Sequence, residues 1–548
     1  MSEMVLEVRD LTVVLPPGAD RSHAVEDVSF SLHRNEILCL VGESGSGKSI
    51  AARAIMGLLP VPRVRATGGE ILFREEDLLR ASPDRMRAIR GSQITMVFQD
   101  PMTALNPLKT IGSQIDEAIA VHTDMPGKQR AARILERLEA VHLPEPWRIV
   151  RSYPHQLSGG QRQRAMIAMA LALEPAILIA DEPTTALDVT TQAQILALIK
   201  EIQARRHMGV LFITHDFGVV SEIADRVAVM QSGKVVEFGG TTQVLQEPQH
   251  AYTRSLIAAI PSLAPPDRKP IEEGAPAVLS VDGLQKSYRS GTLFGGRSPA
   301  TQAVKGVSLR VRRGETVGLV GESGSGKSTV ARCIARLVDA DGGRVMLGDI
   351  DLRPLSRRQL RPYRKRVQMI FQDPYSSLNP RRTVGRLIAE GPMVHGMPER
   401  EALERCRELL ELVGLGSRVA DRYPEEFSGG QRQRIGIARA LALDPQLLVA
   451  DEPVSALDVS VQAQVLRLLA DIRDCLHLSM LFITHDLRVA AQVCDTIAVM
   501  RDGEIVETGP TSRIFRDPQH PYTRELLAAV PGKDVGMAPA AAGMGSVA

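Results

Sequence analysis

Gly42–Ser49 reads GESGSGKS, and the same eight residues return at Gly321–Ser328. Each copy follows an apolar run that reads as a buried strand. The pattern is that of a phosphate-binding loop: its glycines let backbone amides curl around phosphates, and the N-terminus of the next helix adds its positive dipole end. Gly42, Gly45, Gly47 and Gly321, Gly324, Gly326 are therefore the candidate cradle positions. Lys48 and Lys327 are expected to reach the β- and γ-phosphates, with Ser49 and Ser328 holding Mg2+ through their hydroxyls. One isolated match could be a chance glycine-rich turn; two matches in the same setting exclude that.

The rest of the sequence repeats as well. VFQDP at 97–101 returns as IFQDP at 370–374, SGGQRQR at 158–164 returns at 428–434, and LFITHD at 211–216 returns at 481–486. The offset between copies drifts from 279 to 273 to 270 residues, as one ancestral unit with small loop insertions would give. Repeats of this length are whole domains rather than solenoid units. Between them PSLAPPDRKPIEEGAPA is rich in proline and charge, and it reads as a semi-rigid spacer at 261–277. The expected organisation is a first domain at 1–260, the spacer, a second domain at 278–531, and a low-complexity, disordered tail at 532–548.

Bulk composition agrees with 548 residues in more than one domain. A formal net charge of +2 gives no nucleic-acid footprint, and five dispersed cysteines form no disulfide framework or zinc pair. No apolar run approaches the roughly 20 residues of a membrane helix; the closest, Ala165 to Ala180, is broken by Glu174 and Pro175. Within each half the class is α/β. ILCLVG, AILIAD and VLFITH read as buried parallel strands whose carboxyl ends converge on one site. GKQRAARILERLEAVHL has helical period, with Ile134, Leu135, Leu138 and Val141 on one face, and EREALERCRELLELVGL is its counterpart.

Two acids close the strands ILIADEP and LLVADEP. Alone they would be a solvated turn. Downstream of a phosphate loop, Asp181 and Asp451 become Mg2+ ligands through water, and Glu182 and Glu452 general bases for the attacking water. His215 and His485 end the next strand in identical settings, which assigns them to the γ-phosphate. Gln99 and Gln372 follow a strand, where they suit a Mg2+ or water ligand. Ser158, Gly159, Gly160 and Ser428, Gly429, Gly430 precede helices, forming anion-binding N-termini that are also helix caps.

Taken together these motifs resemble the ATP-binding-cassette (ABC) ATPases, whose signature is this SGGQ between the phosphate loop and the acidic strand. The resemblance spans about residues 5–260 and 278–531. It implies two tandem ABC-type nucleotide-binding domains, each with a P-loop NTPase RecA-like core, an antiparallel β subdomain and a helical signature subdomain. It also implies head-to-tail pairing of the halves, so that each ATP is sandwiched by one phosphate loop and the other half's signature. Lys48, Ser49, Gln99, Asp181, Glu182 and His215 then act with Ser428, Gly429 and Gly430. Lys327, Ser328, Gln372, Asp451, Glu452 and His485 act with Ser158, Gly159 and Gly160. Asp188 and Asp458 look like the residues through which the halves communicate.

FQDPMTALNP, FQDPYSSLNP and the closing phrases PQHAYTRSLIAAIP and PQHPYTRELLAAVP are similar to the oligopeptide/dipeptide/nickel importer branch. That likeness implies two membrane-spanning permease subunits, a solute-binding protein, and a peripheral position on the cytoplasmic side of the inner membrane. Ile50 replaces the hydroxyl residue that the second half keeps as Thr329, so one α-phosphate contact is missing. Tyr288 suits an adenine-stacking aromatic, where the first half has Leu15. Neither half carries the cysteine cluster with which some branch members hold an iron–sulfur centre. The other readings are a soluble tandem cassette acting on ribosomes or nucleic acid, disfavoured by the near-neutral charge, and an exporter ATPase, disfavoured by the closing phrases.

Overall fold

The strand Ile37–Val41 is buried at all five positions, and so are Ile177–Asp181 and Gly209–Thr214 along their whole lengths. Strand side chains alternate between faces, and here each face has its own apolar partner. Leu38, Leu40, Ile177, Ile179, Leu211 and Ile213 pack towards an antiparallel sheet. Ile37, Cys39, Val41, Leu178, Ala180, Val210 and Phe212 pack against helices. A strand covered on both faces has no polar face to show, which is why these segments read as continuous apolar runs.

The computed structural model describes residues 3–185, 187–268, 274–288, 301–373, 377–455 and 457–533. Contacts divide the chain into two units, the first mainly Met1–Leu187 with Thr191–Ile260, the second mainly Pro261–Val530. In the first unit the six-stranded sheet runs Lys234–Gly240, Arg226–Gln231, Ile37–Val41, Gly209–Thr214, Ile177–Asp181, Ile94–Val97. It is parallel except for the edge pair Arg226–Gln231 with Lys234–Gly240. The four-stranded antiparallel sheet has Met4–Val14 between His23–His33 and Arg65–Phe73, with the short Glu76–Asp77 at its edge. A helical layer, including Ile111–Ala120, Gly127–Ala140 and Gly159–Ala170, covers the other face.

The second unit has the same two sheets. The larger runs Val367–Ile370, Leu447–Asp451, Ser479–Thr484, Thr316–Val320, Thr496–Arg501, Glu504–Pro510. The phosphate-loop strand is thus internal in both units, and both keep the expected α/β class. Residues 261–268, read from sequence as spacer, belong to the second unit. The tail beyond Lys533 lies outside the described residues.

One helical face differs from the expectation. In Gly127–Ala140 the buried positions are Ile134, Leu138 and Arg137, with Leu135 only half-buried. Arg137 is 2% exposed and donates from Nη2 to Glu174 Oε1 at 2.6 Å, while its Nε and Nη1 make no hydrogen bond. Glu174 sits at φ +57° in the turn before the strand Ile177–Asp181, and it also meets Arg133 and Arg206 at 3.2 and 2.9 Å. The counterpart of Arg137 in the second unit is Leu409, buried in an apolar cluster.

Candidate functional site

The carboxyl ends of the internal strands bring the predicted groups into one cluster in each unit. After Val41 the chain turns through Gly42, Gly45 and Gly47, at φ +150°, +79° and +108°. A Cβ on Gly42 would lie 2.2 Å from Met230 O, and one on Gly47 2.4 Å from Ala24 O, so only glycine closes this turn. Helix Lys48–Ile55 starts at once, with Gly47 as its N-cap and no side-chain cap. Its first amides are therefore presented to the loop. Lys48 Nζ donates to Gly42 O and Glu43 O, each at 2.7 Å, which folds the ammonium over the loop. Gly321, Gly324 and Gly326 repeat the turn at φ +154°, +84° and +105°, and Lys327 Nζ meets Gly321 O and Glu322 O at 2.7 Å.

The next residue reaches the acidic strand. Ser49 Oγ donates to Asp181 Oδ1 at 2.8 Å, and Ser328 Oγ to Asp451 Oδ1 at 2.9 Å. A hydroxyl beside a carboxylate is a pair of hard oxygen donors, the chemistry that Mg2+ selects. Glu182 lies one residue further at φ +46°, and Glu452 at +47°. This left-handed backbone is uncommon outside glycine and clusters at functional sites. Gln99 Nε2 donates to Glu182 Oε2 at 2.9 Å, and Gln372 Nε2 does the same to Glu452 Oε2. His215 Nδ1 stands 3.2 Å from Glu182 Oε1, and His485 Nδ1 the same distance from Glu452 Oε2.

The two neighbouring acids are driven in opposite directions. Burial pushes the Asp181 carboxyl up, against the opposing Ser49 hydrogen bond. Burial also opposes charge on Glu182, but the hydrogen bond and charge of His215 outweigh it and hold that carboxyl below its usual range. The His215 imidazole is held above its ordinary value because Glu182 and Asp216 outweigh its burial. Asp451, Glu452 and His485 shift in the same directions, although His485 Nδ1 makes an ion contact with Glu452 rather than a hydrogen bond. The glutamates are thus ionised, the form that can accept a proton.

Ser158, Gly159 and Gly160 take no part in the hydrogen bonds of that cluster. Ser158 caps helix Gly159–Ala170, accepting from Gln161 N at 3.3 Å while Gln161 Oε1 accepts from Ser158 N at 3.1 Å. Ser428 and Gln431 form the same capping box ahead of Gly429 and Gly430. Tyr288 ends the strand Ala277–Tyr288, 42% exposed, with Lys286 Nζ 5.6 Å from its ring centre. Leu15 and Ile50 pack on the apolar cluster between the sheets of the first unit. Thr329 is half-buried in helix Lys327–Ile334.

Two residues at the site escaped the sequence reading. Tyr252 Oη accepts from the phosphate-loop amide of Glu43 at 3.2 Å, and Tyr522 Oη from that of Glu322 at 3.3 Å. Their signal in the sequence is the YTR repeated in the two closing phrases.

The chain is similar in sequence to known proteins. A model described as "ABC transporter" matches residues 25–185 and 304–455, and one described as "Oligopeptide/dipeptide transporter, C-terminal region" matches 236–303 and 506–543. The chain is 48% identical over 532 residues to the peptidoglycan transport ATP-binding protein YejF of Agrobacterium fabrum, covering 96% of each. It is likewise 48% identical over 559 residues to the glutathione import ATP-binding protein GsiA of Shigella dysenteriae, covering 96% of this chain and 89% of that one. Among solved structures, a dimeric ATP-binding cassette in a post-hydrolysis state bound to ADP and Pi aligns at 30% identity with TM-score 0.39, over 42% of this chain and 98% of that one.

Proposed function

The chain belongs to the ABC transporter family, and from that premise we propose that it is the ATP-hydrolysing motor of an importer for a peptide-like solute, a di- or oligopeptide, glutathione or a related molecule. Support for the solute class comes from the two relatives, one a peptidoglycan transport and the other a glutathione import ATP-binding protein, and from the C-terminal region matched in both halves. The motor works through two permease subunits and a solute-binding protein, peripheral to the cytoplasmic face of the inner membrane. No helix of the described residues is long and apolar enough to cross a membrane. The domains proposed are 1–260 and 278–531, with residues 261–268 packed as part of the second unit.

One observation carries the reading: both halves keep a Lys–Ser–Asp phosphate loop and a Gln–Glu–His cluster at the same strand ends. The loop amides and Lys48 or Lys327 bind the ATP phosphates and offset their charge. Ser49, Gln99 and Asp181, with Ser328, Gln372 and Asp451, are the ligands proposed for Mg2+, which supplies charge neutralisation on the β- and γ-oxygens when bound. Glu182 and Glu452, held ionised by their histidines, orient a water and take its proton. His215 and His485 hold that carboxylate on one side and reach the γ-phosphate on the other. Tyr288 stacks on adenine in the second half. Ser428, Gly429 and Gly430 complete the first site from the second half's helix, and Ser158, Gly159 and Gly160 complete the second.

In the double variant Glu182→Gln/Glu452→Gln, ATP is expected to stay bound and unhydrolysed. Nucleotide recovered with the protein after gel filtration measures this, and undiminished phosphate release would remove the glutamates from the role of base.

A further inference from the structure

The helix that follows each histidine ends in the same way in both units, but its closing cation has a different source. In the first unit this helix is Phe217–Ile223, and the Lys200 ammonium donates to Glu222 O near its C-terminal end. Lys200 belongs to the same unit, on helix Val189–Arg206. The matching helix of the second unit is Leu487–Val493, where Gln492 stands for Glu222 and Ala470 for Lys200. Alanine offers no cation. The donor to Gln492 O is Arg268 Nη2, from the stretch read as spacer, and Arg268 Nη1 also donates to Val493 O. Cations stabilise helix C-termini, where the last carbonyls lack intrahelical partners.

Arg268 does more than close the helix. Its Nη1 lies 3.0 Å from Asp495 Oδ1, and Asp495 Oδ2 accepts from Thr316 N at 2.8 Å, the first residue of the phosphate-loop strand. Asp495 is 11% exposed, so this ion pair lies largely out of water. The other cation near it, Arg473, stands 3.8 Å away. Gln492 Nε2 in turn donates to Ser262 O and Ala264 O, at 2.8 and 3.0 Å, so the contact is reciprocal. The same helix begins at the N-cap Asp486, directly after His485. A guanidinium from the joining segment thus ties the far end of the histidine's helix to the root of the phosphate loop.

We propose that Arg268 is a positioning residue of the second nucleotide site, acting through Asp495 and helix Leu487–Val493. This rests on the assignment of Lys327, Glu452 and His485 to that site. In the full chain, Arg268→Ala is expected to speed hydrogen exchange of the backbone at 485–495. It is also expected to lower kcat for ATP by up to half, since one of two sites is affected, with KM unchanged. Adding Ala470→Lys, which supplies the cation from the position the first unit uses, should restore both. Unchanged exchange, unchanged kcat or failure of the Ala470→Lys rescue would each overturn the proposal. So would faster exchange spread through the whole second unit, which signals a merely structural loss. Lys327→Ala serves as the control: if it leaves turnover intact, the fault lies in the site assignment rather than in Arg268.

Discussion

Gly430 is the second glycine of the capping box that opens helix Gly429–Leu441, and a methyl group there has a calculable cost. Its Cβ would lie 2.2 Å from Val461 Cγ1 on helix Val459–Leu476, where a β-branched side chain has almost no second rotamer to move into. Overpacking of this kind costs about 1–3 kcal/mol, against about 0.5–1 kcal/mol returned by replacing a helical glycine with alanine. Gly436, six residues further along the same helix, has open space where its Cβ would stand, so Gly436→Ala collects the gain alone. The two alanine variants should therefore differ by about 1–3 kcal/mol. At about 2–4 °C per kcal/mol for a unit of this size, the unfolding transition of the second unit should be about 2–12 °C lower in Gly430→Ala than in Gly436→Ala. Calorimetry reads that difference directly. Val461→Ala should relieve it, giving a favourable coupling of about 1 kcal/mol or more in a double-mutant cycle. Turnover of ATP should fall in Gly430→Ala, because the shift displaces Ser428, and should not fall in Gly436→Ala. Equal transitions for the two variants, with no coupling to Val461, would refute the packing argument. Gly160 tests it again: its Cβ would stand 2.7 Å from Thr191 Cγ2, so the first unit should suffer less.

Three further outcomes are expected. Lys48→Ala with Ser428→Ala should cripple a single ATP site and leave partial turnover, whereas Lys48→Ala with Ser158→Ala should cripple both; equal residual ATPase rates would contradict the pairing of each loop with the other half's signature. The His–Glu pairs set a pH window: the raised histidine contributes fully below its ordinary 6.5 and is lost as pH rises through its folded value, while the lowered glutamate contributes above 4.5 and is lost as pH falls through its own. NMR titration should place the His215 and His485 midpoints above 6.5 and lower each when its glutamate becomes glutamine; midpoints indifferent to that change would contradict the pairing. Arg137→Leu should leave the first unit as stable as before or up to about 4 kcal/mol more stable in denaturant unfolding, because it removes buried orphan N–H groups and copies Leu409; a loss above about 1 kcal/mol would contradict this.

What the sequence could and could not disclose follows from the range of the forces involved. Gly42–Ser49, Asp181, Glu182 and His215 were legible because each lies at the end of a run whose five or six residues are all buried, so composition alone marks the strand. The second copy of each motif removed chance as an explanation. The hydrogen bond from Gln99 to Glu182 was not legible, since it joins residues 83 apart through the order of strands in a sheet. Leu135 was placed on the buried face on hydropathy, yet Arg137 holds that position because Glu174, in a distant turn, gives its guanidinium an exit. The role of Arg268 was hidden for the same reason: its partners lie 224 to 227 residues away, and proline and charge around it suggested nothing but a spacer.

The migration of that cation, from Lys200 inside one half to Arg268 between the halves, determines where this polypeptide can be cut. A chain joined by an inert tether can be divided anywhere along it, and its fragments mixed back together without loss. Here a break before Ser262 leaves the second fragment with its own cation and with both carbonyls that Gln492 holds. A break a few residues later, past Arg268, strands the cation on the wrong fragment. The two halves are alike in sequence, yet the cation that closes this helix comes from inside the repeat in the first and from the joining segment in the second.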